Sequence, residues 1–439
     1  MSCTAGEDPV ASCGGLAPSA AGPARWRRLG ALAAVAVLGW SCATDDAAPG
    51  SAATHQGVVP ATAAMVGPAP SAPAATAATE PAVPVVLRPG EGVQVRAAGG
   101  PRPGSGFVGE VYRQMLGELG YSVSEPRDLV VPGSSVAYLY LAEGEFDVWL
   151  DGRYPYDEVW LDGQRFDGSR VGDHVMALGQ GHPVDAWMGW LISKDFADEH
   201  GVYTLDALND DPAAVAAFDV ADAVPGNGKA DILTLPEGVL SGDVHAAQVA
   251  FSGWDRIALV RLGSEEFFAL DERFEEAASR GVPMIAVASS PSELVAKLRP
   301  GHEVYWLGVE GFLDDSNPLG HPDGELFSQW TRGIDGTGGH GSLGPDECPS
   351  AAADPQGLCP LGWVASTRTV AASTEFAASN PAAAVLLDAV FVSAADVSQA
   401  LVREAQGTDP AALASEWIAA NRASVDEWLT AARTAASGG

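Results

Sequence analysis

Apolar and polar positions alternate along this chain in two rhythms, one helical and one extended. Val108, Val111, Met115, Leu116 and Leu119 fall at helical spacing and stop at Gly120, so Phe107 to Leu119 is predicted as a helix. Short apolar runs at Val93–Val95 and Tyr121–Val123 flank it and predict strands, and Val136–Leu141 predicts a further helix ending at Gly144. The stretch EFDVWLDGRYPYDEVW, Glu145 to Trp160, follows, with a strand over Phe146–Leu150 emptying into a turn of Tyr154, Pro155 and Tyr156. A strand that ends in a proline-fixed aromatic turn is where an α/β protein presents a ligand site; the plainer reading is aromatics packed beneath a loop. Strand alternation sets Trp149 and Asp151 against Leu150, which makes Trp149 a core residue.

Beyond this turn the pattern predicts a buried strand over Trp187–Ile192, and helical segments over Lys194–His200, Thr204–Phe218, Val244–Phe251, Phe267–Ser279 and Pro291–Leu298. Met284–Val287, Glu303–Leu307 and Trp363–Val370 read as strands, and Leu313 to Pro360 as a long Gly-rich loop region. Asn380-Pro381 and Asp409-Pro410 open two terminal helices, with proline in the first turn. Trp417 and Trp428 sit on the apolar stripe of the second and read as core. Strands alternating with helices indicate an α/β fold with a parallel sheet.

The N-terminal 85 residues follow neither rhythm. Arg25, Arg27 and Arg28 precede an apolar run, Leu29 to Trp40, the pattern of a secretory signal and too short for a membrane span. With Ser41-Cys42 behind it, the segment resembles a bacterial lipoprotein signal, in which Cys42 is the lipidated first residue of the mature protein. Gly39 and Trp40 depart from the preferred box, so plain secretion and an uncleaved anchor stay open, as does a start further in than Met1. From Ala43 to about Val85 the chain is mostly Ala, Pro, Thr, Ser and Gly, with no Lys or Arg and no Phe, Trp or Tyr, which reads as a disordered tether.

The 439 residues carry 57 acidic against 24 basic side chains, a net charge of −33. That balance argues against nucleic-acid binding, which needs clustered cations to neutralise phosphate. Of the five cysteines, none has zinc-site spacing. Cys348 and Cys359 bracket PSAAADPQGL and read either as a disulfide formed in an oxidising compartment or as two unrelated buried thiols. Asp219, Asp222, Asn227 and Asp231 supply oxygens in one loop but lack EF-hand spacing, so a solvated turn is the better reading than a calcium site. Gly228-Lys229 is not a phosphate-binding loop. H-E-x-x-H and G-x-S-x-G are absent and His340-Gly341-Ser342 lies in a Gly-rich loop, which disfavours catalysis.

Several segments together resemble the substrate-binding proteins of ABC importers for glycine betaine and related compatible solutes. They include FVGEVYRQMLGELGYSVSEP, LYLAEGEFDVWLDGRYP, MGWLISKDFADEHGVYTLDAL, DDPAAVAAFD with NGKAD, and GVPMIAVASSPSELVAKLRPGHEVYWL. NPAAAVLLDAVFVSAADV and WIAANRASVDEWL complete the series, which keeps its order from about Val93 to Ala432. The resemblance implies a two-lobed type II periplasmic-binding-protein fold with a hinge. One lobe would be 86–184 with 363–439, the other 185–362, behind a signal region 1–41 and the lipidated tether 42–85. It implies no enzyme activity, cofactor or metal. The implied partners are a small solute, an ABC permease with its cytoplasmic ATPase, and the membrane through the lipid, but no nucleic acid.

The same resemblance implies a tryptophan cage for a quaternary ammonium, held by the attraction of aromatic faces for a cation. This chain departs from it. The cage positions fall on Arg153 in the Arg153-Tyr154-Pro155 turn, on Val239 beside Gly238, and on Ser289, while the carboxylate-contacting His falls on Asp157. Arg153 then has two readings, recognition of an anionic group on a different solute or a structural pair with Asp157. Tyr154, Tyr156, Trp149, Trp160 and Trp190 are nearby aromatics that could rebuild part of a cage if the turn rotates, although strand alternation favours the core for Trp149. The alternative function is a lipid-anchored sensor or scaffold that kept the fold and lost betaine binding.

Overall fold

The computed structural model describes residues 87–437, apart from 101–104, 126–127, 132, 236–239, 264–265, 267–268, 314–316, 318 and 321–338. Cys42, the signal region, the tether, Gly238 and Val239 therefore lie outside the described residues. The first helical stripe forms helix Ser105–Glu118, with Val111, Met115, Leu116 and Leu119 buried. Gly120 ends it at φ +97°, where a Cβ would lie 3.1 Å from the Glu91 nitrogen, so only glycine turns the chain there without strain.

Two sheets carry the architecture. The first has the strand order Ala97–Ala98, Val148–Tyr154, Thr367–Ser373, Val175–Leu178. The second has Val304–Leu307, Trp187–Ser193, Ile285–Ser290, Ala230–Thr234, Ile257–Arg261. Trp149 and Leu150 enter different apolar clusters, Trp149 with Tyr138 and Phe146, Leu150 with Phe107 and Met115. That is the two-faced packing expected of a strand covered by helices on both sides. Trp149 is fully buried.

The expectation of parallel sheets needs correction. Ala97–Ala98 runs parallel to Val148–Tyr154, and Ala230–Thr234 is parallel to both its neighbours. The two strands by which the chain passes between lobes, Trp187–Ser193 and Thr367–Ser373, are antiparallel to theirs. The reason is topological. Val148–Tyr154 and Ile285–Ser290 end at the junction of the lobes, where Tyr154 pairs with Thr367 and Ser290 with Trp187. A strand that starts at the junction must run back the other way.

At the junction the two passages lie side by side through an antiparallel bridge between Ala186 and Ser366, with Ala186 N–H to Ser366 O at 3.0 Å and Ser366 N–H to Ala186 O at 2.6 Å. Asp185 braces them, its Oδ2 accepting from Arg368 at 3.3 Å and from the Ala394 amide at 2.7 Å, at the start of helix Ala394–Ala405. From that helix Ser398 Oγ accepts the Ser292 amide at 3.2 Å beside helix Glu293–Leu298.

Other departures are local. Thr204–Phe218 is two helices, Leu205–Asp210 and Pro212–Asp219, because Pro212 forces Asp211 into an extended conformation from which its carboxylate caps the second. The Asp409-Pro410 helix divides at Asn421 into Pro410–Ala420 and Arg422–Ser437, and the Trp417 and Trp428 rings stack across the break at 6.4 Å. Trp363 is not in a strand; the extended segment begins at Thr367. Cys348 and Cys359 are disulfide-bonded and buried, with Cα atoms 5.8 Å apart.

Candidate functional site

Strand Val148–Tyr154 runs four residues beyond its expected end, so Tyr154 closes the strand and pairs with Thr367. Pro155 then starts a 3-10 helix, Tyr156–Asp162. This reversal is fastened from within: the buried Asp157 carboxylate accepts the Arg153 backbone amide at 2.7 Å. Asp157 thus holds the strand end in place through the main chain. Arg153 is half-buried and lies opposite Arg368 in the register of the adjacent strand.

Tyr156 projects toward the junction. Its hydroxyl donates to the Val364 carbonyl, and its ring meets the edge of Trp363 at 6.5 Å and 74°. Trp363 is 4% exposed and clusters with Val244 and Ala247 of helix Leu240–Ser252. It is set there by Gly362 at φ +71°, where a Cβ would lie 2.8 Å from Val309. From Trp363 the aromatic row continues into the second lobe, 5.4 Å to His245, 4.9 Å from His245 to Trp190, and 6.4 Å from Trp190 to Trp254.

His245 is 1% exposed, and its Nδ1 lies 2.9 Å from Thr234 Oγ1 at the end of strand Ala230–Thr234. Burial pushes its pKa down to about 3, with the Arg261 charge adding to the shift, so the ring is neutral. The C-terminal end of a parallel strand is where α/β proteins place ligands. Ser289 is half-buried on Ile285–Ser290, opposite Met188, which also packs on the Trp363 cluster.

Of the residues singled out from the sequence, Arg153, Tyr154, Tyr156 and Asp157 are brought together at the end of one strand. Trp190 connects to Tyr156 through Trp363 and His245, two residues that no sequence motif marks. Strand Ala230–Thr234 carries no sequence signal either, although it leads toward helix Leu240–Ser252, which holds His245. Trp160 packs with the cluster around Trp149, away from this row.

The other candidate chemistries resolve differently. Asp219 accepts the amides of Gly226, Asn227 and Gly228 at 2.8–2.9 Å, and Asp231 accepts Val224 N–H at 2.6 Å and the Asn227 side chain at 3.0 Å. These oxygens brace the loop, and no cluster suited to a metal ion occurs among the described residues. His340 is paired with Asp354 at 3.3 Å, while Ser342 donates to the Val184 carbonyl, so the two share no reaction geometry.

A family described as the substrate-binding domain of ABC-type glycine betaine transport systems matches residues 94–420. The chain belongs to this family. Membership makes it a solute-binding protein of ABC transport rather than an enzyme. As a member of the family, it is 25% identical over 356 residues to the glycine betaine-binding periplasmic protein OusX of Dickeya dadantii, spanning 79% of this chain and 92% of that protein. It is 22% identical over 351 residues to the glycine betaine/proline betaine-binding periplasmic protein of Escherichia coli, with the same two coverages. Among solved structures it is similar to lactococcal OpuAC in its closed, glycine betaine-bound form, at 16% identity and a TM-score of 0.46, over 77% of this chain and 99% of that one. The fold class of this betaine-family member is α/β with two lobes, as its two sheets display.

Proposed function

We propose that this protein is the extracytoplasmic solute-binding component of an ABC importer, delivering a small compatible solute to a membrane permease that works with a cytoplasmic ATPase. The observation that carries this is the aromatic row at the junction, running from Tyr156 through Trp363 and His245 to Trp190. Residues 86–184 with 363–439 form one lobe in this reading and 185–362 the other. Closing them over a solute shifts the open–closed population toward the form the permease recognises. Cys42 carries the lipid that anchors the tether, 42–85, to the outer face of the cell membrane after removal of 1–41.

In this reading the ligand surface has moved from the family's cage positions, now Arg153, Val239 and Ser289, onto Tyr156 and Trp363. Each aromatic face contributes about 0.5–2 kcal/mol toward a cation. Arg153 and Asp157 fix the mouth of the site, with Asp157 acting through the Arg153 amide. Titration calorimetry and thermal shift with glycine betaine, choline, carnitine and acidic solutes test this. A ligand at 100 times its Kd stabilises the native state by about 2.7 kcal/mol, which raises the melting temperature by several degrees. The substituted cage favours a second reading, a lipid-anchored sensor or scaffold, and a protein with no shift across the whole panel is the result that reading expects.

A further inference from the structure

His245 is buried at a place where a buried polar group normally finds a partner, and only one of its two ring nitrogens has one. Nδ1 meets Thr234 Oγ1 at 2.9 Å, whereas Nε2 is enclosed by protein without a hydrogen-bond partner. The partnering of Thr234 decides which nitrogen carries the proton. If Nδ1–H donated to Thr234, both the threonine O–H and the Nε2 lone pair would be left unpaired. If the threonine donates to Nδ1, the single unpaired group is Nε2–H. The second arrangement leaves fewer orphans, so the ring offers a donor on the side away from strand Ala230–Thr234.

A second donor lies next to it. Trp190 is 2% exposed, its ring centroid is 4.9 Å from that of His245, and its Nε1–H is likewise buried without a partner. An indole nitrogen can only donate. Trp149, Trp187, Trp306 and Trp417 also hold buried indole N–H groups without a partner, so the lone Trp190 donor is not what marks the place; the mark is that the Trp190 and His245 rings adjoin, which puts two unpaired donors side by side. His245 stands at the C-terminal end of the parallel strand Ala230–Thr234 with the Trp363 ring packed on it, and Trp190 projects from the middle of the neighbouring antiparallel strand Trp187–Ser193.

We propose that His245 is a specificity-determining residue of the second lobe that donates Nε2–H to an anionic acceptor, a carboxylate oxygen of the solute, with Trp190 Nε1–H beside it. The proposal rests on the solute-binding reading above. It moves recognition of the acceptor group away from the turn, where Asp157 is an acceptor at its own oxygens, to the opposite lobe. Tyr156 and Trp363 then face the cationic part of the same solute.

Glycine betaine and choline are the probes, since they share a trimethylammonium group and differ in carrying a carboxylate or a hydroxyl. Calorimetry on the wild type, His245→Phe and His245→Gln, together with the ligand-free melting temperatures at pH 7.5, tests the assignment. The phenyl ring fills the space without the donor, and the glutamine amide restores an N–H. The expected result is a 10- to 100-fold loss of glycine betaine affinity in His245→Phe, the size of a hydrogen bond to a charged group. Choline affinity changes less than threefold, His245→Gln recovers part of the loss, and the ligand-free melting temperature of His245→Phe stays within about two degrees of wild type. Unchanged affinity for both probes, or an equal loss of both, overturns the role of His245 and leaves the solute-binding reading standing. A folded wild type that binds neither probe nor any acidic solute overturns both.

Discussion

The Asp219–Asp231 loop and the aromatic junction both gather polar side chains in the second lobe, and they use them in opposite ways. In the loop, carboxylates that look like ion ligands are consumed by the chain itself: Asp219 accepts three backbone amides and Asp231 two further N–H groups. Asp222 accepts the Asp231 amide through Oδ2. In the junction, a row that looks apolar keeps the donors of His245 and Trp190 unpaired. A concentration of acids therefore builds a turn here, while the proposed ligand site rests on a few nitrogens among rings. What distinguishes them is the kind of group left over, a single acceptor in the loop, Asp222 Oδ1, against the donors of His245 and Trp190 in the row.

Acid should separate the two regions most strongly. The pKa of His245 falls from 6.5 to about 3 in the folded protein, so between these values the unfolded chain binds the extra proton. Stability from this group is present above pH 6.5 and is lost as pH falls toward 3. His245→Phe should remove that loss, making urea unfolding at pH 4 less destabilised relative to pH 7.5 by roughly 3 kcal/mol, at 1.36 kcal/mol per pKa unit. Equal acid sensitivity in the variant and wild type would mean the ring is solvated.

Next in size is the brace of the loop. Asp219→Ala leaves the amides of Asn227 and Gly228 without their acceptor, while Gly226 keeps the Asp219 carbonyl, and should cost about 2 kcal/mol in urea unfolding with solute affinity unchanged. Loss of affinity at full stability would make the loop part of the binding machinery and erase the distinction drawn above.

The smallest effect is on Asp222, whose pKa burial raises from 3.8 to about 6, with Asp231 and Asp219 adding repulsion. Here the folded state binds the extra proton, so this contribution is present below pH 3.8 and is lost as pH rises through 6. Asp222→Asn should stabilise the protein at pH 7.5 by about 1 kcal/mol, allowing for solvent screening of a partly exposed group, with no gain at pH 3.5. Thermal melts at the two pH values check the sign.

Much of the fold was legible because its helices carry their own punctuation. Lys194–His200 is bounded by Gly201 at φ +67°, and Pro381–Ala389 opens on Asn380-Pro381. Ala230–Thr234 is hidden in the pattern for a physical reason: all five residues are buried, Asp231 and Thr234 among them, so polar and apolar positions do not sort onto an exposed and a covered face. Val175–Leu178 and Ile257–Arg261 are of similar brevity and were missed too. The aromatic turn was found, but its strand was read four residues short. Pairing of Tyr154 with Thr367 extends it, a contact across more than two hundred residues that local pattern does not contain.

The sequence by itself determined the family frame, the helical stripes with their stops and the acidic composition, because these are written in spacing and residue type. It also marked the aromatic turn at Tyr154, Pro155 and Tyr156 that follows the strand. Only the tertiary structure decided that Asp157 holds the Arg153 main chain, that the Asp219–Asp231 loop closes on itself, and that Trp363 bridges Tyr156 to His245. Those outcomes depend on which hydrogen-bonding groups meet once distant segments pack, and a one-dimensional pattern does not specify such meetings.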